Sequence, residues 1–324
     1  MKNILGLLFL LLLLNGCDDG DLTVENIDFA SVTTNSCGET IYKLNGNEAM
    51  YIKIPYYRNA FPNELTSADA PIVIPIGGDV SVTYRAYDGA PSAANICATP
   101  GPISPIATQE WTASSGNIEI SSIAVYSTNE TTGATTISRY AHNIVFKNIV
   151  FQKPSGTQIY ESFTFGEYST TATTLPFNFN PDDLKLCSNN VLYNSRINGI
   201  EGITIENFDS NLLSTSNLGV AKKGLISSTT NKLVYRLFTA ALTNNSSNDD
   251  YYCAAVTPDY PPINELWIAQ DGVADVSGII EVTTTTNGTG FLHTIFLKAV
   301  TFQKGNSTFY YGNSILLGNL LTTN

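Results

Sequence analysis

Hydrophobic and polar residues alternate with a period of two along most of the chain, which is the pattern of β-strands rather than of helices. Val80–Tyr87 is a clear example. The segment Ala141–Lys153 is apolar in both alternating sets, and a strand with two apolar faces suits the core of a sandwich or a covered sheet. The other segments with strand-like patterns are Thr23–Phe29, Thr40–Leu44, Tyr51–Pro55, Pro71–Ile76, Asn117–Tyr126, Thr157–Tyr168, Ile279–Thr286 and Gly290–Phe302.

Two stretches of the sequence repeat each other, at an offset that stays between 150 and 156 residues. The spacing from Cys97 to Trp111 is 14 residues, and the spacing from Cys253 to Trp267 is the same. Both tryptophans, both histidines and four of the five cysteines fall in equivalent places, so the chain contains a duplication. The best-matched segments are Val82–Arg85 with Leu233–Arg236, and His142–Lys153 with His293–Lys304, in which six of twelve positions are identical.

The repeat sets the predicted domain boundaries. Residues 23–168 form the first copy and residues 177–324 form the second. Residues 169–176 are polar and β-branched, which is typical of a short extended linker. In the second copy, Asn287-Gly288 between two strand-like segments predicts a tight hairpin, because both residues tolerate a positive φ. The first copy has the longer Asn129–Gly133 loop at this place.

Composition supports an all-β fold for both copies. The chain has 17 tyrosines and 15 phenylalanines, and only 14% of its residues are charged, against roughly 25% in a typical soluble domain. Each copy has room for seven to nine strands. We therefore predict two tandem β-sandwich domains, immunoglobulin-like or jelly-roll-like in outline. The net charge of −12, without any basic run, argues against nucleic acid as a partner.

The cysteines fit an exported protein with disulfide bonds. Apart from Cys17, four cysteines remain, which allows three pairings. The duplication favours Cys37–Cys97 and Cys187–Cys253, one bridge in each copy. Each bridge would close a loop of about 60 residues and contribute about 4 kcal/mol. The alternative is a metal site, but no pair of cysteines has the CxxC spacing of common zinc sites.

The N-terminus has the features of a secretory signal. Residues 1–16 contain Lys2 and the apolar run Ile4–Leu14, which at 11 residues is too short to span a bilayer. The run ends in Leu14-Asn15-Gly16-Cys17, which resembles the lipobox of bacterial lipoproteins, although Asn15 departs from the usual small residue. This resemblance implies that Cys17 becomes the first residue and carries a lipid anchor in the membrane. The alternative is an ordinary signal peptide with an incidental cysteine.

An acidic cluster follows the cysteine. Asp18-Asp19-Gly20-Asp21, within the predicted tether 17–22, resembles the lipoprotein export signal of Bacteroidota, especially of flavobacteria. The chain as a whole resembles the duplicated surface lipoproteins of that group. The resemblance implies an outer-membrane lipoprotein facing the cell exterior. Anchoring at the periplasmic face is one alternative. An acidic segment that is only a solvated tether, or one that binds calcium, is another.

No catalytic constellation is evident in the sequence. His142 and His293 are the only histidines, and each opens a core-like strand, which favours a structural hydrogen bond over a hydrolase triad. The GxSxG, HExxH and P-loop patterns are absent from the sequence. Glu48 and Glu201 each lie near a turn, whereas a glycosidase needs two carboxylates that face one cleft. We therefore predict no enzymatic activity and no cofactor.

Tyrosine pairs are the candidate ligand-binding residues. If exposed, Tyr56-Tyr57, Tyr251-Tyr252 and Tyr310-Tyr311 could stack on sugar rings; otherwise they alternate between core and surface. Asp249 and Asp250 form a candidate calcium loop, although the DxDxDG spacing is missing, and no other metal site is predicted.

Three functions remain open for the chain. The first is a surface binding or adhesion module for polysaccharide, in which two weak sites would raise avidity. Such a module should expose an aromatic row on the same face of both copies. The others are an accessory subunit of an envelope protein complex, which would expose a broad apolar patch, and a glycan-active enzyme.

Overall fold

A computed structural model describes residues 27–66, 69–196, 198–242, 248–256 and 258–323. The predicted signal peptide, Cys17 and the predicted acidic tether lie outside these residues. The predicted all-β fold is confirmed, because two antiparallel sheets account for most of the described chain. The predicted strand Thr23–Phe29 is not formed at its described end, residues 27–29. Within the described ranges, no helix is long and apolar enough to cross a membrane.

The first sheet is built from the first copy of the repeat. Two residues with left-handed backbone and several glycines punctuate its strands, and one short helix, α1 (Ala93–Cys97), precedes the longest of them. The strands are β1 (Asn35–Cys37), β2 (Thr40–Asn45), β3 (Glu48–Lys53), β4 (Ile72–Pro75), β5 (Ser81–Tyr87), β6 (Ala107–Thr128), β7 (Thr135–Lys153) and β8 (Gly156–Thr171).

The second sheet is built from the second copy. A short helix, α2 (Asp249–Tyr252), again precedes the tryptophan-bearing strand. The strands are β9 (Lys185–Leu186), β10 (Leu192–Asn194), β11 (Glu201–Glu206), β12 (Lys222–Leu225), β13 (Lys232–Phe238), β14 (Ile263–Ala269), β15 (Ile279–Asn287), β16 (Gly290–Lys304) and β17 (Ser307–Thr323). The 3₁₀ turns of the chain are Tyr56–Arg58, Pro181–Asp183 and Ser210–Leu213.

The two sheets share one topology. In the first, the order is β1-β2-β3-β5-β6-β7-β8, and β4 pairs with β6. The second sheet repeats this order with β9-β10-β11-β13-β14, and its β12 pairs with β15. The single long strand β6 therefore corresponds to β14 and β15 together. Equal topology on both sides supports the duplication inferred from the sequence.

A β-bulge in the segment Ala141–Lys153 makes its buried face differ from the predicted one. Ile144 and Phe146 are buried, as predicted for one face, but the buried positions beyond Asn148 are Ile149 and Phe151. Asn148 has a φ of 49° and is the extra residue of a β-bulge. The bulge exchanges the two faces of the strand for all residues that follow it. All four of these side chains are therefore on the buried face of the strand, and the strand is not apolar on two faces.

The second copy has the same bulge at Ala299, where φ is also 49°. The pairing of β16 with β17 skips this residue, and the buried positions change from Ile295 and Leu297 to Val300 and Phe302. The predicted hairpin between β15 and β16 is also present. Its two turn residues are Gly288 and Thr289, one position later than predicted, because Asn287 still pairs with Gly290.

Both predicted disulfides are formed, Cys37–Cys97 and Cys187–Cys253. Each joins the first strand of its copy or the turn after it to the end of the short helix. The Cα atoms are 6.0 Å apart in the first bridge and 5.3 Å apart in the second, within the normal range for disulfides.

The chain divides into two compact units that group residues differently from the sequence copies. The long strands β6, β7 and β8 each contribute residues to both units. Strand β8 also continues to Thr171, so the first residues of the predicted linker 169–176 belong to a strand. The first unit consists of residues up to Arg58, Ile74–Ile118 and Val145–Gly166, and the second of Asn59–Val73, Glu119–Ile144 and Glu167 onward.

Candidate functional site

The three predicted tyrosine pairs have different environments. Tyr251 and Tyr252 are only 4% and 6% exposed, so their rings are not available to stack on a ligand. They pack with Tyr193, Phe238 and Leu242 into a small core beneath the second disulfide. The exposure that sugar stacking requires is therefore not found for this pair, which takes the alternative place in the core.

The pair Tyr310-Tyr311 is partly buried. The Tyr311 ring packs against Phe177 at 4.6 Å, and burial raises the pKa of its hydroxyl. Tyr310 lies on the same strand, β17, and its hydroxyl donates to Asn313 Oδ1 at 2.9 Å. These contacts indicate a structural role for Tyr311 and leave one partly exposed ring, Tyr310.

Tyr56 and Tyr57 are exposed, with 73% and 70% of their surface accessible. They form the 3₁₀ turn that follows β3, and the turn is fixed at both ends. The backbone N–H of Tyr56 donates to Glu39 Oε1 at 3.0 Å, and the Arg58 N–H donates to the Pro55 carbonyl at 3.0 Å.

Arg58 orders the outer side of the same turn. Its guanidinium carbon lies 5.1 Å from the Tyr57 ring centroid, and its Nη2 donates to Asp79 Oδ1 at 2.9 Å. Both charged side chains are about two-fifths exposed, so the ion pair adds little stability. Its effect is to position a cation beside an exposed aromatic ring. Arg58 and Asp79 were not predicted as site residues, because they are 21 positions apart.

The histidines are buried and form equivalent sites in the two copies. His142 Nδ1 lies 2.7 Å from Ser122 Oγ, and its Nε2 lies 2.8 Å from Thr170 Oγ1. Burial lowers the pKa of His142 to about 4. A buried serine beside a histidine resembles part of a hydrolase triad, but the third partner here is a hydroxyl, and neither Ser122 nor His142 is accessible.

His293 repeats this arrangement. Its two ring nitrogens lie 2.8 Å from Thr284 Oγ1 and 2.9 Å from Thr322 Oγ1. Burial and the nearby charge of Lys222 lower its pKa. Hydroxyls on both nitrogens stabilise a neutral ring, which agrees with the structural role predicted for both histidines.

The acids singled out by the sequence also have structural partners. Glu48 accepts a hydrogen bond from the Tyr84 hydroxyl, and its counterpart Glu201 accepts one from Tyr235 at 2.7 Å. Burial and the hydrogen bond to Glu201 raise the pKa of Tyr235. These pairs are equivalent in the two copies, so they belong to the shared scaffold.

The calcium candidate lies in the first turn of α2. Asp249 accepts a hydrogen bond from the Tyr193 hydroxyl, and its carboxylate is 3.8 Å from Lys185 Nζ. Asp250 follows in the same turn. Across the part of the chain that the structure describes, no group of three or more histidine, cysteine, aspartate or glutamate side chains is placed to hold a metal ion.

Comparisons with known proteins do not supply a relative. No protein-family model, no curated protein and no solved structure matches the chain. The functional argument therefore depends on the residues of this chain.

Proposed function

We propose that the protein is a non-catalytic binding or adhesion module of the cell envelope, with polysaccharide as its ligand class. The exposed turn Tyr56–Arg58 is the observation that carries this proposal. An aromatic ring offers an apolar face to the C–H groups of a sugar, and the adjacent guanidinium of Arg58 can donate hydrogen bonds to its hydroxyls. The N-terminal resemblance supplies the location: a lipid anchor at Cys17 in the outer membrane, with the protein facing the cell exterior.

The environment of the ionisable groups supports binding rather than catalysis. Both histidines are buried between hydroxyls, and Glu48 and Glu201 are engaged by tyrosines. A glycan-active enzyme would need carboxylates free to face a substrate.

One exposed tyrosine turn per chain follows from the difference between the copies. The 3₁₀ turn Ser210–Leu213 follows β11 as Tyr56–Arg58 follows β3, but it contains no aromatic residue, and its Leu212 is buried. The aromatic row expected on both copies is therefore confined to the first. We propose that the second copy does not add avidity through this turn.

The test is retention of the full chain, in detergent, on a panel of insoluble polysaccharides. We expect saturable retention on at least one polymer, and its loss in Tyr56→Ala/Tyr57→Ala. Tyr260→Ala is the matched control, because Tyr260 is 66% exposed but stands alone in another loop. The screen is run with and without calcium, which tests Asp249 and Asp250 as well. If folded protein with intact disulfides is retained on none of the polysaccharides, recognition of polysaccharide is refuted.

A second candidate is an accessory subunit of an outer-membrane protein complex. The proline-rich loops after Cys97 and Cys253 favour it, because equivalent loops expose apolar side chains in both copies. Ile103 is 93% exposed in the first loop, and Val256 is 82% exposed in the second. Crosslinking on intact cells would distinguish this candidate, since it requires a protein partner that is lost when both side chains are changed to serine.

A further inference from the structure

A cavity of about 250 Å³ lies within the second unit, and all residues that line it belong to that unit. Four aromatic side chains contribute to its walls: Tyr140, Phe177, Trp267 and Phe309. The cavity is smaller than the roughly 300–1,000 Å³ of typical drug-sized sites, so it fits one small ring rather than an extended molecule. None of these residues was predicted as a site residue, because they come from distant parts of the chain.

Polar groups surround the aromatic walls. The hydroxyls of Thr136, Ser138 and Thr174 line the cavity, together with the Asn63 amide. Asn63 is held from within the protein, because its Nδ2 donates to the Thr171 carbonyl at 3.3 Å and its Oδ1 accepts from Thr170 Oγ1 at 3.2 Å. Ser138 Oγ donates to the Val125 carbonyl at 2.9 Å. Thr136, Ser138 and Thr174 are exposed at their positions, which places them where the cavity meets solvent. Amide and hydroxyl groups both donate and accept hydrogen bonds, and so match ligand hydroxyls.

The charge of the cavity is balanced. Its carboxylate, Glu265, is only 6% exposed, accepts from Lys304 Nζ at 2.8 Å and accepts from the Trp267 indole N–H at 3.1 Å. Because the negative charge is matched inside the protein, the cavity attracts neither an anion nor a cation. A neutral ligand loses the least hydration energy when it enters the cavity.

The backbone of Phe177 is strained where it lines the cavity. Its φ is 46°, a conformation that bulky residues rarely adopt. Glu201 holds it there, because the N–H groups of Phe177 and Asn178 donate to the two carboxylate oxygens at 2.9 and 2.8 Å. The ring then packs 4.2 Å from the Tyr235 ring. Backbone strain of this kind concentrates at ligand sites, where it fixes a wall in advance of binding.

We propose that this cavity binds one neutral ring molecule that carries several hydroxyl groups, the class to which single monosaccharide units belong. The aromatic walls contact the apolar face of the ring, and the hydroxyls of Thr136 and Thr174 at the opening bond to its edge. The inference does not depend on the Tyr56–Arg58 turn, which lies in the other unit.

The test titrates the full chain, in detergent, with glucose, galactose, mannose and N-acetylglucosamine. Tryptophan fluorescence reports on the cavity, because Trp267 is one of only two tryptophans in the chain. Ligand-observed saturation-transfer NMR is recorded in parallel, so that binding without a fluorescence change is still detected. We expect saturable binding of at least one of these sugars, retained in Tyr56→Ala/Tyr57→Ala.

Two variants locate the site. Thr173→Phe should fill the cavity and abolish binding. Thr136→Ala/Thr174→Ala removes two exposed hydroxyls without touching the core, and we expect binding to weaken about tenfold. Thr285→Ala/Thr286→Ala is the matched control, since these exposed threonines lie on β15 and do not line the cavity. Absence of binding by both methods, or binding that the threonine variants leave unchanged, would overturn the proposal.

Discussion

The two disulfide-bearing helices show how one framework has acquired two different surroundings. Helix α1 contains no buried residue, and Cys97 at its end is exposed. Helix α2 buries Tyr251 and Tyr252, and Cys187 of its disulfide is 6% exposed. The bridge and the position of the helix are shared, but of the two helices it is α2 that buries its own side chains.

The 3₁₀ turns differ in the same sense. The first copy exposes Tyr56 and Tyr57, whereas the second buries Leu212 at the corresponding place. One contact of the framework, by contrast, is the same in both copies. Lys153 lies over the Trp111 ring as Lys304 lies over the Trp267 ring, and each lysine ends the strand next to the one that carries the tryptophan. The duplication has therefore kept these contacts and diverged at the disulfide-bearing helix and the 3₁₀ turn, which is where we expect function to differ.

The largest effect should come from the second disulfide. Replacing Cys187 and Cys253 by serine should lower the free energy of unfolding by about 4 kcal/mol through the freed loop, and further because the aromatic cluster loses its cover. The same change at Cys37 and Cys97 should cost only the loop contribution. Urea unfolding of the two double variants measures this order, and equal losses would contradict the proposed difference between the helices.

Acid should destabilise the protein through the buried histidines. The pKa of His142 is about 4 when folded, against 6.5 for the free side chain, so the unfolded state binds more protons between these values. Stability should be complete above about pH 6.5 and fall by about 3 kcal/mol as the pH approaches 4. Unfolding curves from pH 7 to pH 4 check this, with His142→Gln as the comparison. A variant that keeps the full pH dependence of the parent would rule out His142 as its source.

Glu201 should matter more than Glu48. Glu201→Gln replaces one acceptor oxygen by a donor beside the Phe177 and Asn178 N–H groups, and should cost about 2 kcal/mol. Glu48→Gln should cost about 1 kcal/mol, since its one described hydrogen bond is with Tyr84. Thermal unfolding of both variants gives the comparison. Equal shifts would indicate that Glu201 does not hold the strained backbone.

The smallest effect on stability should come from the exposed turn. Tyr56→Ala/Tyr57→Ala should change the free energy of unfolding by less than about 0.5 kcal/mol, because both rings already face solvent. Tyr251→Ala should destabilise by about 3 kcal/mol, since its ring is buried. Denaturant midpoints of these variants separate a surface tyrosine pair from a core pair.

The duplication, both disulfides and most strands of the first copy could be predicted from the sequence, because local alternation and repeated spacing encode them. Burial of Tyr251 and Tyr252 could not, since it depends on Tyr193 some 58 positions earlier. The bulge at Asn148 was missed because alternation alone does not reveal a positive φ.

The candidate site was predicted only in part. Tyr56 and Tyr57 were recognisable as a pair, but their exposure depends on how the turn after β3 is held. The cavity joins residues from five separate segments of the second unit, so its aromatic walls become evident only in three dimensions.

Hydrogen–deuterium exchange with and without a retained polysaccharide tests the central claim most directly. We expect ligand-dependent protection of the turn 56–58 and of the backbone near Asp79, without protection of the corresponding turn 210–213. Protection of 210–213, or of neither turn while the polysaccharide is bound, would contradict the claim that the first copy carries the surface binding site.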